Sequence, residues 1–303
     1  MTPRNARHWR TRRWLGAAAV AGVAGVSLTY MASCYDFNYA PAGDEDGSLP
    51  DVAADQHVSD AGADVFDPCP SAHGPLQVLV QAPRDLGTFC IDSTEVTRGQ
   101  YAEFVAEYPK ATGFNQIAAC TWNKDFNPDP AEYIEHPDSH PVTAIDWCDA
   151  YAFCQWAGKS LCGDVDGGAH TVYTEPAAEV TDRWRIACSH GEDGLHNYPY
   201  GNQYSPSACN TLDVGADSSA PVGTAPGCVG GFPGIFDMSG NVGEWENTCF
   251  RAPDGGPRSE DTCALRGGSY EHSDTLVRCT DGYANPRSQT FGDVGFRCCS
   301  SSK

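Results

Sequence analysis

Basic residues are scarce in this 303-residue chain: 19 Lys and Arg stand against 40 Asp and Glu, for a net charge of −21. Five of the 19, Arg4, Arg7, Arg10, Arg12 and Arg13, lie in the first 33 residues, where there is no acid, so from Cys34 onward 14 basic residues face 40 acidic ones. Such a surface repels nucleic acid and anionic lipid, which excludes nucleic-acid partners, and it suits cations. Zinc-type spacing is missing too. No two cysteines stand in a CxxC pattern and the histidines do not fall at zinc-finger intervals, which excludes the usual structural zinc site. Nor is there a long apolar run. Leu15 to Leu28 is too short for a spanning helix, which needs about 20 residues. No internal repeat is visible, and apolar residues make up only 41% while Gly and Pro number 32 and 21. A helical bundle is therefore not expected; a loop-rich, irregular fold is.

What is present begins with an export signal. The arginines form a positive n-region, Leu15 to Leu28 an h-region, and Met31-Ala32-Ser33-Cys34 a lipobox in which Cys34 takes the lipid. Thr11 to Leu15 also has the twin-arginine pattern. An uncleaved anchor helix with an incidental Cys34 is the other reading, and both place the remainder outside the cytoplasm. Residues 34–68 read as an acidic tether. Asp44, Glu45, Asp46, Asp51, Asp55, Asp60, Asp64 and Asp67 are scattered among Ala, Gly, Pro and Ser with no Lys or Arg, so little apolar surface offsets the entropy of ordering. The domain boundaries expected are thus 1–33, 34–68 and a folded domain at 69–303.

Fifteen cysteines are the strongest compositional signal. With Cys34 lipidated, fourteen remain, enough for seven disulfides in an oxidising compartment. Three stretches have helical periodicity: Thr97 to Tyr108, Asp146 to Ala157 with Gly158 as its stop, and Ala178 to Ser189. The best strands are Phe89 to Ile91, Leu265 to Tyr270, Leu276 to Cys279 and Val294 to Cys299.

Several blocks, in order, carry a resemblance. Ile91 to Thr97 with Gln100, Tyr101 and Phe104 comes first. His140-Pro141-Val142, Asp146-Trp147 and Ala150 to Lys159 follow, then Trp184 to Cys188 and Tyr198 to Asn202. Gly234 to Trp245, Leu265 to Tyr270 and Gly295 to Cys298 complete the set. Together they resemble the formylglycine-generating enzyme (sulfatase-modifying factor) family over about residues 75 to 299. The resemblance implies an irregular α+β domain of C-type-lectin-like type, and disulfides Cys154–Cys298 and Cys188–Cys279. Cys249–Cys263 and Cys209–Cys228 are close enough in sequence to pair locally. Cys69, Cys90, Cys120, Cys148, Cys162 and Cys299 remain, with 15 connectivities open. Cys298 and Cys299, pointing to opposite faces of a strand, are expected to have separate partners.

The resemblance also implies structural calcium on Asp237, Glu244 and the carbonyls of Gly240 and Val242, hard oxygen ligands suited to that ion. A second calcium set would use Asn210, the Thr211 carbonyl and Asp217 or Asp213. At the catalytic centre the match fails. The family holds copper on two cysteines just after the Gly-Gly-Ser-Tyr strand, as a soft ion prefers. Here His272 stands at the first of these positions and no second Cys appears, so copper is not expected. Gly243 replaces a Trp, and Asp293 an Asn. Ser269, His272, Arg287 and Asp293 remain as candidate cleft residues. His136 and His140 have i, i+4 spacing without the helix or the Glu of a metalloprotease motif. Two functions follow: a non-catalytic, calcium-stabilised module binding a peptide, glycan or envelope protein, or a metal-dependent oxidoreductase converting a sulfatase Cys to formylglycine.

Overall fold

The computed structural model describes residues 67–69, 73–111, 116–171, 180–189 and 196–303. The signal segment, Cys34 and nearly all of the acidic tether lie outside the described residues. None of the described helices is long and apolar enough to cross a membrane.

Two helices start at reciprocal caps. The Thr97 hydroxyl accepts from the Gln100 N–H and the Gln100 side chain accepts from the Thr97 N–H, opening α1 (Arg98–Glu107). Asp146 and Asp149 make the same exchange at α2 (Trp147–Trp156). Each such box satisfies two backbone donors that a helix start leaves free. A shorter α3 spans Arg183–Ser189, its seven side chains all buried.

The strands form two four-stranded sheets. The first has the order β1 (Gln77–Gln81), β2 (Thr88–Asp92), β8 (Cys298–Ser301), β3 (Ser160–Leu161), all antiparallel. The second has the order β6 (Gly282–Pro286), β5 (Thr262–Arg266), β4 (Gly243–Phe250), β7 (Val294–Phe296). Only its β4–β7 pair is parallel, with Gly243 opposite Val294 and Trp245 opposite Phe296. One apolar core joins α1 and α2 to the second sheet through Tyr101, Phe104, Phe153, Trp245, Leu265 and Phe296. A second core packs α3 against the first sheet through Val80, Phe89, Ile91, Trp184 and Ile186.

Three strand expectations are corrected. Leu265 to Tyr270 is strand only to Arg266, because Gly267 and Gly268 take φ of +78° and +62° and turn the chain away. Leu276 to Cys279 is instead part of a 3-10 turn at Asp274–Val277 and its exit. Val294 to Cys299 is broken at Arg297 into β7 and β8, which belong to different sheets. Arg297 has to leave the ladder because its guanidinium is buried in an ion pair with Glu244, at 2.8 Å.

All fourteen cysteines from Cys69 onward form disulfides: Cys69–Cys90, Cys120–Cys148, Cys154–Cys298, Cys162–Cys299, Cys188–Cys279, Cys209–Cys228 and Cys249–Cys263. Adjacent Cys298 and Cys299 reach across β8 to α2 and to the end of β3. So many bridges belong to an oxidising, exported environment.

Candidate functional site

The end of β5 and the start of β7 bring the cleft residues together. β4 lies between these strands, and the Gly243 N–H donates to the Asp293 carbonyl at 2.9 Å. After β5, the Gly267-Gly268 turn must pass close to its neighbours. A Cβ on Gly268 would lie 2.7 Å from the Leu276 carbonyl oxygen, too near for any other residue. This turn delivers a fully buried Ser269 to Asp293.

Ser269 is the hub. Its hydroxyl donates to Asp293 Oδ2 at 2.7 Å and accepts from the Glu271 N–H at 3.2 Å. His272 Nδ1 accepts the Ser269 backbone N–H at 3.1 Å and lies 3.0 Å from the Ser269 hydroxyl oxygen. The serine proton goes to the charged acceptor, which makes the stronger bond. With Nδ1 occupied as an acceptor, the neutral imidazole carries its proton on Nε2. This is not a nucleophilic triad, where the histidine sits between serine and acid and takes the serine proton. Here the serine is between the other two.

Beside this hub opens a pocket of about 420 Å³ lined by Tyr133, Ile134, Tyr270, Phe291 and the carboxylates of Glu132, Glu271 and Asp293, among others. Burial, helped by Glu271 and Asp293, pushes the Tyr270 phenol up to about 12, so it remains a neutral donor at physiological pH.

Arg287 is not part of this group. It is buried under Trp147, its guanidinium 4.6 Å from the ring centroid, and reaches Asp261 at 3.5 Å. One residue that sequence reasoning missed lies beside His272 and Gly243. Tyr283 holds its ring 5.6 Å from that of His272. Its hydroxyl fills the space beside Gly243, where a Cβ would lie only 2.6 Å away. The Trp expected at 243 from the resemblance is thus replaced by a glycine under a tyrosine from β6, two strands away in the sheet. Nothing in the sequence near 243 signals that exchange. His136 and His140 stack at 4.6 Å, and His140 bonds Ser219, a packing role.

The segments expected to bind calcium adjoin one another. The Asn241 N–H donates to the Asn210 carbonyl at 2.7 Å, and the Asn210 amide donates to the Asn241 side chain and to the Ser218 carbonyl, each at 3.1 Å. Asp217 is exposed, and Asp213 accepts from the Tyr204 hydroxyl at 2.7 Å. Glu244 is fully engaged: Arg297 contacts both its oxygens at 2.8 to 3.0 Å and Trp184 Nε1 donates to it at 2.8 Å. Asp237, held at φ +59°, accepts the Gly223 N–H and is pushed up to about 6 by burial. Glu95, bonded through one oxygen to Asn241 at 2.9 Å, is raised well above the carboxylate range by burial and by Asp237. Its other oxygen is buried without a partner. Three buried carboxylates therefore surround one guanidinium, and that excess of negative charge fits a divalent cation. Among the described residues no three His, Cys, Asp or Glu side chains converge as a ready metal cluster, so such an ion would depend on backbone carbonyls.

The family model for the sulfatase-modifying factor enzyme 1-like domain matches residues 73–302, and the chain belongs to that family. It is similar to the formylglycine-generating enzyme of Mus musculus, 26% identical over 208 residues, covering 60% of this chain and 49% of that protein. It is also similar to the inactive C-alpha-formylglycine-generating enzyme 2 of Bos taurus, 28% identical over 188 residues, covering 56% and 54%. The chain thus spans about half the length of these relatives. Among solved structures, PvdO from Pseudomonas aeruginosa aligns with a TM-score of 0.49 at 17% identity, over 78% of this chain and 99% of that one.

Proposed function

We propose that this protein is an exported lipoprotein, anchored through Cys34, whose sulfatase-modifying-factor-like domain is a non-catalytic binding module stabilised by calcium. The observation that carries the reading is the state of the cysteines. All fourteen from Cys69 to Cys299 are joined in pairs, which leaves none of them as a thiolate for a soft copper ion. His272, at the position of a copper cysteine, has its Nδ1 committed to Ser269. What persists is an open pocket in which Tyr133, Tyr270 and Phe291 stand together with the acidic residues Glu132, Glu271 and Asp293. Its ligand would be a peptide, a glycan or a neighbouring envelope protein.

The calcium ion is proposed on Asp237 and the carbonyls of Gly240 and Val242, with Glu95 as the nearby carboxylate that has an oxygen to spare. Glu244 has no lone pair left over and serves by holding Arg297. The Asn210, Thr211 and Asp217 set is kept as a second, weaker proposal.

One experiment tests both parts. Purified protein is incubated with copper or iron, O₂ and a Cys-x-Pro-x-Arg peptide, and its melting temperature is followed as calcium is added. No formylglycine is expected, while calcium raises the melting temperature and a chelator reverses the rise. Formylglycine in the peptide would establish the oxidoreductase reading instead; a melting temperature blind to calcium would remove the ion.

A further inference from the structure

One of the seven bridges differs from the other six. Thirteen of the fourteen half-cystines are buried; Cys249 alone is half-buried. Its bridge to Cys263 also closes the shortest loop, 14 residues apart in sequence, against 19 to 144 for the rest. A short loop removes the least entropy from the unfolded chain, so this bridge adds least to stability. The two cysteines are moreover direct partners in the β4–β5 ladder, with Phe250 opposite Thr262 beside them, and β5 is paired along its other edge to β6. Opening the bridge leaves both strands hydrogen-bonded.

The chain just beyond the paired ends of β4 and β5 is rich in arginine. Arg251 and Asp261 come one residue beyond the last paired rung, Phe250 opposite Thr262, two residues along the chain from Cys249 and Cys263, and are joined to each other at 3.2 Å. Asp261 is met by three guanidiniums: Arg251 at 3.2 Å, Arg258 at 3.1 Å and Arg287 at 3.5 Å. In a chain this acidic, that is a rare local excess of positive charge. Arg287 Nε and Nη1 are buried with no hydrogen-bond partner. Neighbouring cations favour the thiolate form of cysteine, both as attacking group and as leaving group.

We propose that Cys249–Cys263 is a thiol–disulfide exchange site for a thiol that carries carboxylate groups, and that the other six bridges are structural. The incoming thiolate attacks Cys249 Sγ, the less buried half-cystine of the pair. The Cys249–Cys263 bond breaks, its electron pair leaves on Cys263 Sγ, and a mixed disulfide forms on Cys249. A second equivalent of the same thiol then attacks that mixed disulfide. It releases the oxidised thiol and leaves both cysteines reduced after each sulfur takes a proton from water.

The test uses the full folded chain. It is exposed in parallel to glutathione, an anionic thiol, and to cysteamine, a cationic one, at equal thiolate concentration. Reactions are quenched with iodoacetamide and mapped by mass spectrometry, with near-ultraviolet dichroism as the check that the fold is intact. The first adduct is expected on Cys249, with Cys263 alkylated, and about tenfold faster with glutathione than with cysteamine. Opening of any other bridge first, a first adduct on Cys263, or equal rates with the two thiols overturns the proposal.

Discussion

Two polar groups flank β4 in this protein and they are built differently. Around Arg297, ion pairs are sealed from water: Glu244 meets the guanidinium through both its oxygens, and nearby Lys159 meets Asp92 at 2.7 Å with both side chains buried. Asp92 also accepts the Cys298 N–H, so the ion pair ties β2 to β8. Around Ser269 the bonds run through a hydroxyl and an imidazole at the ends of strands, and beyond them lies an open pocket. The first group is part of the framework and cannot change without cost. The second sits on a turn whose position is fixed elsewhere, by Gly267-Gly268 and by the Cys188–Cys279 bridge that pins the exit of the 3-10 turn. A binding centre at such a rim can be lost or exchanged while the fold stays intact.

Arg297→Met attacks the sealed group. It strands Glu244 as an uncompensated buried charge, and a loss of about 3–5 kcal/mol is expected in urea unfolding. A loss below about 1 kcal/mol would show that the two groups do not differ in the way described.

The buried acids set the pH dependence. Burial pushes Asp92 up to about 6, Asp146 to about 7 and Asp237 to about 6, from an ordinary value of 3.8. Raised values mean that the folded protein holds protons the unfolded chain has already released. Their contribution to stability is present below about pH 4, falls as pH rises through 6 and 7, and levels off only above the Asp146 value of about 7. The urea midpoint should therefore be higher at pH 5 than at pH 7.5. Saturating calcium should flatten part of this slope, because a bound cation keeps Asp237 ionised in the folded state. A midpoint that climbs between pH 5 and 7.5 without calcium contradicts the burial of these groups.

Ser269→Ala attacks the rim and carries the smallest effect. It cuts the Asp293 link and costs about 1–2 kcal/mol. Hydrogen exchange should quicken around the 267–277 turn while the β4–β5 ladder keeps its protection. Loss of protection across both sheets would make Ser269 a framework residue.

Much of this was legible in the sequence. Thr97 with Gln100 and Asp146 with its downstream apolar face announced α1 and α2, since capping and periodicity are local. The fourteen cysteines from Cys69 onward announced a bridged, exported domain, and the lack of a Cys at 272 was visible without coordinates. The strands were less legible. Leu265 to Tyr270 and Val294 to Cys299 have strand composition throughout, and only the paired glycines and the burial of Arg297 show where each one stops. The environment of Gly243 was not legible either, because the side chain that fills it comes from Tyr283, 40 residues away.

Order of residues alone thus determined an oxidising, exported environment, the family scaffold and which helices start where, because charge balance, cysteine content, caps and motif spacing can be read along the chain without coordinates. The tertiary structure decided which acids are free and which are spent, that Ser269 rather than His272 is the hub, that Arg287 belongs elsewhere, and that one bridge of seven has a half-buried cysteine. Those are matters of burial and of through-space neighbours, and neither exists until distant segments are packed together.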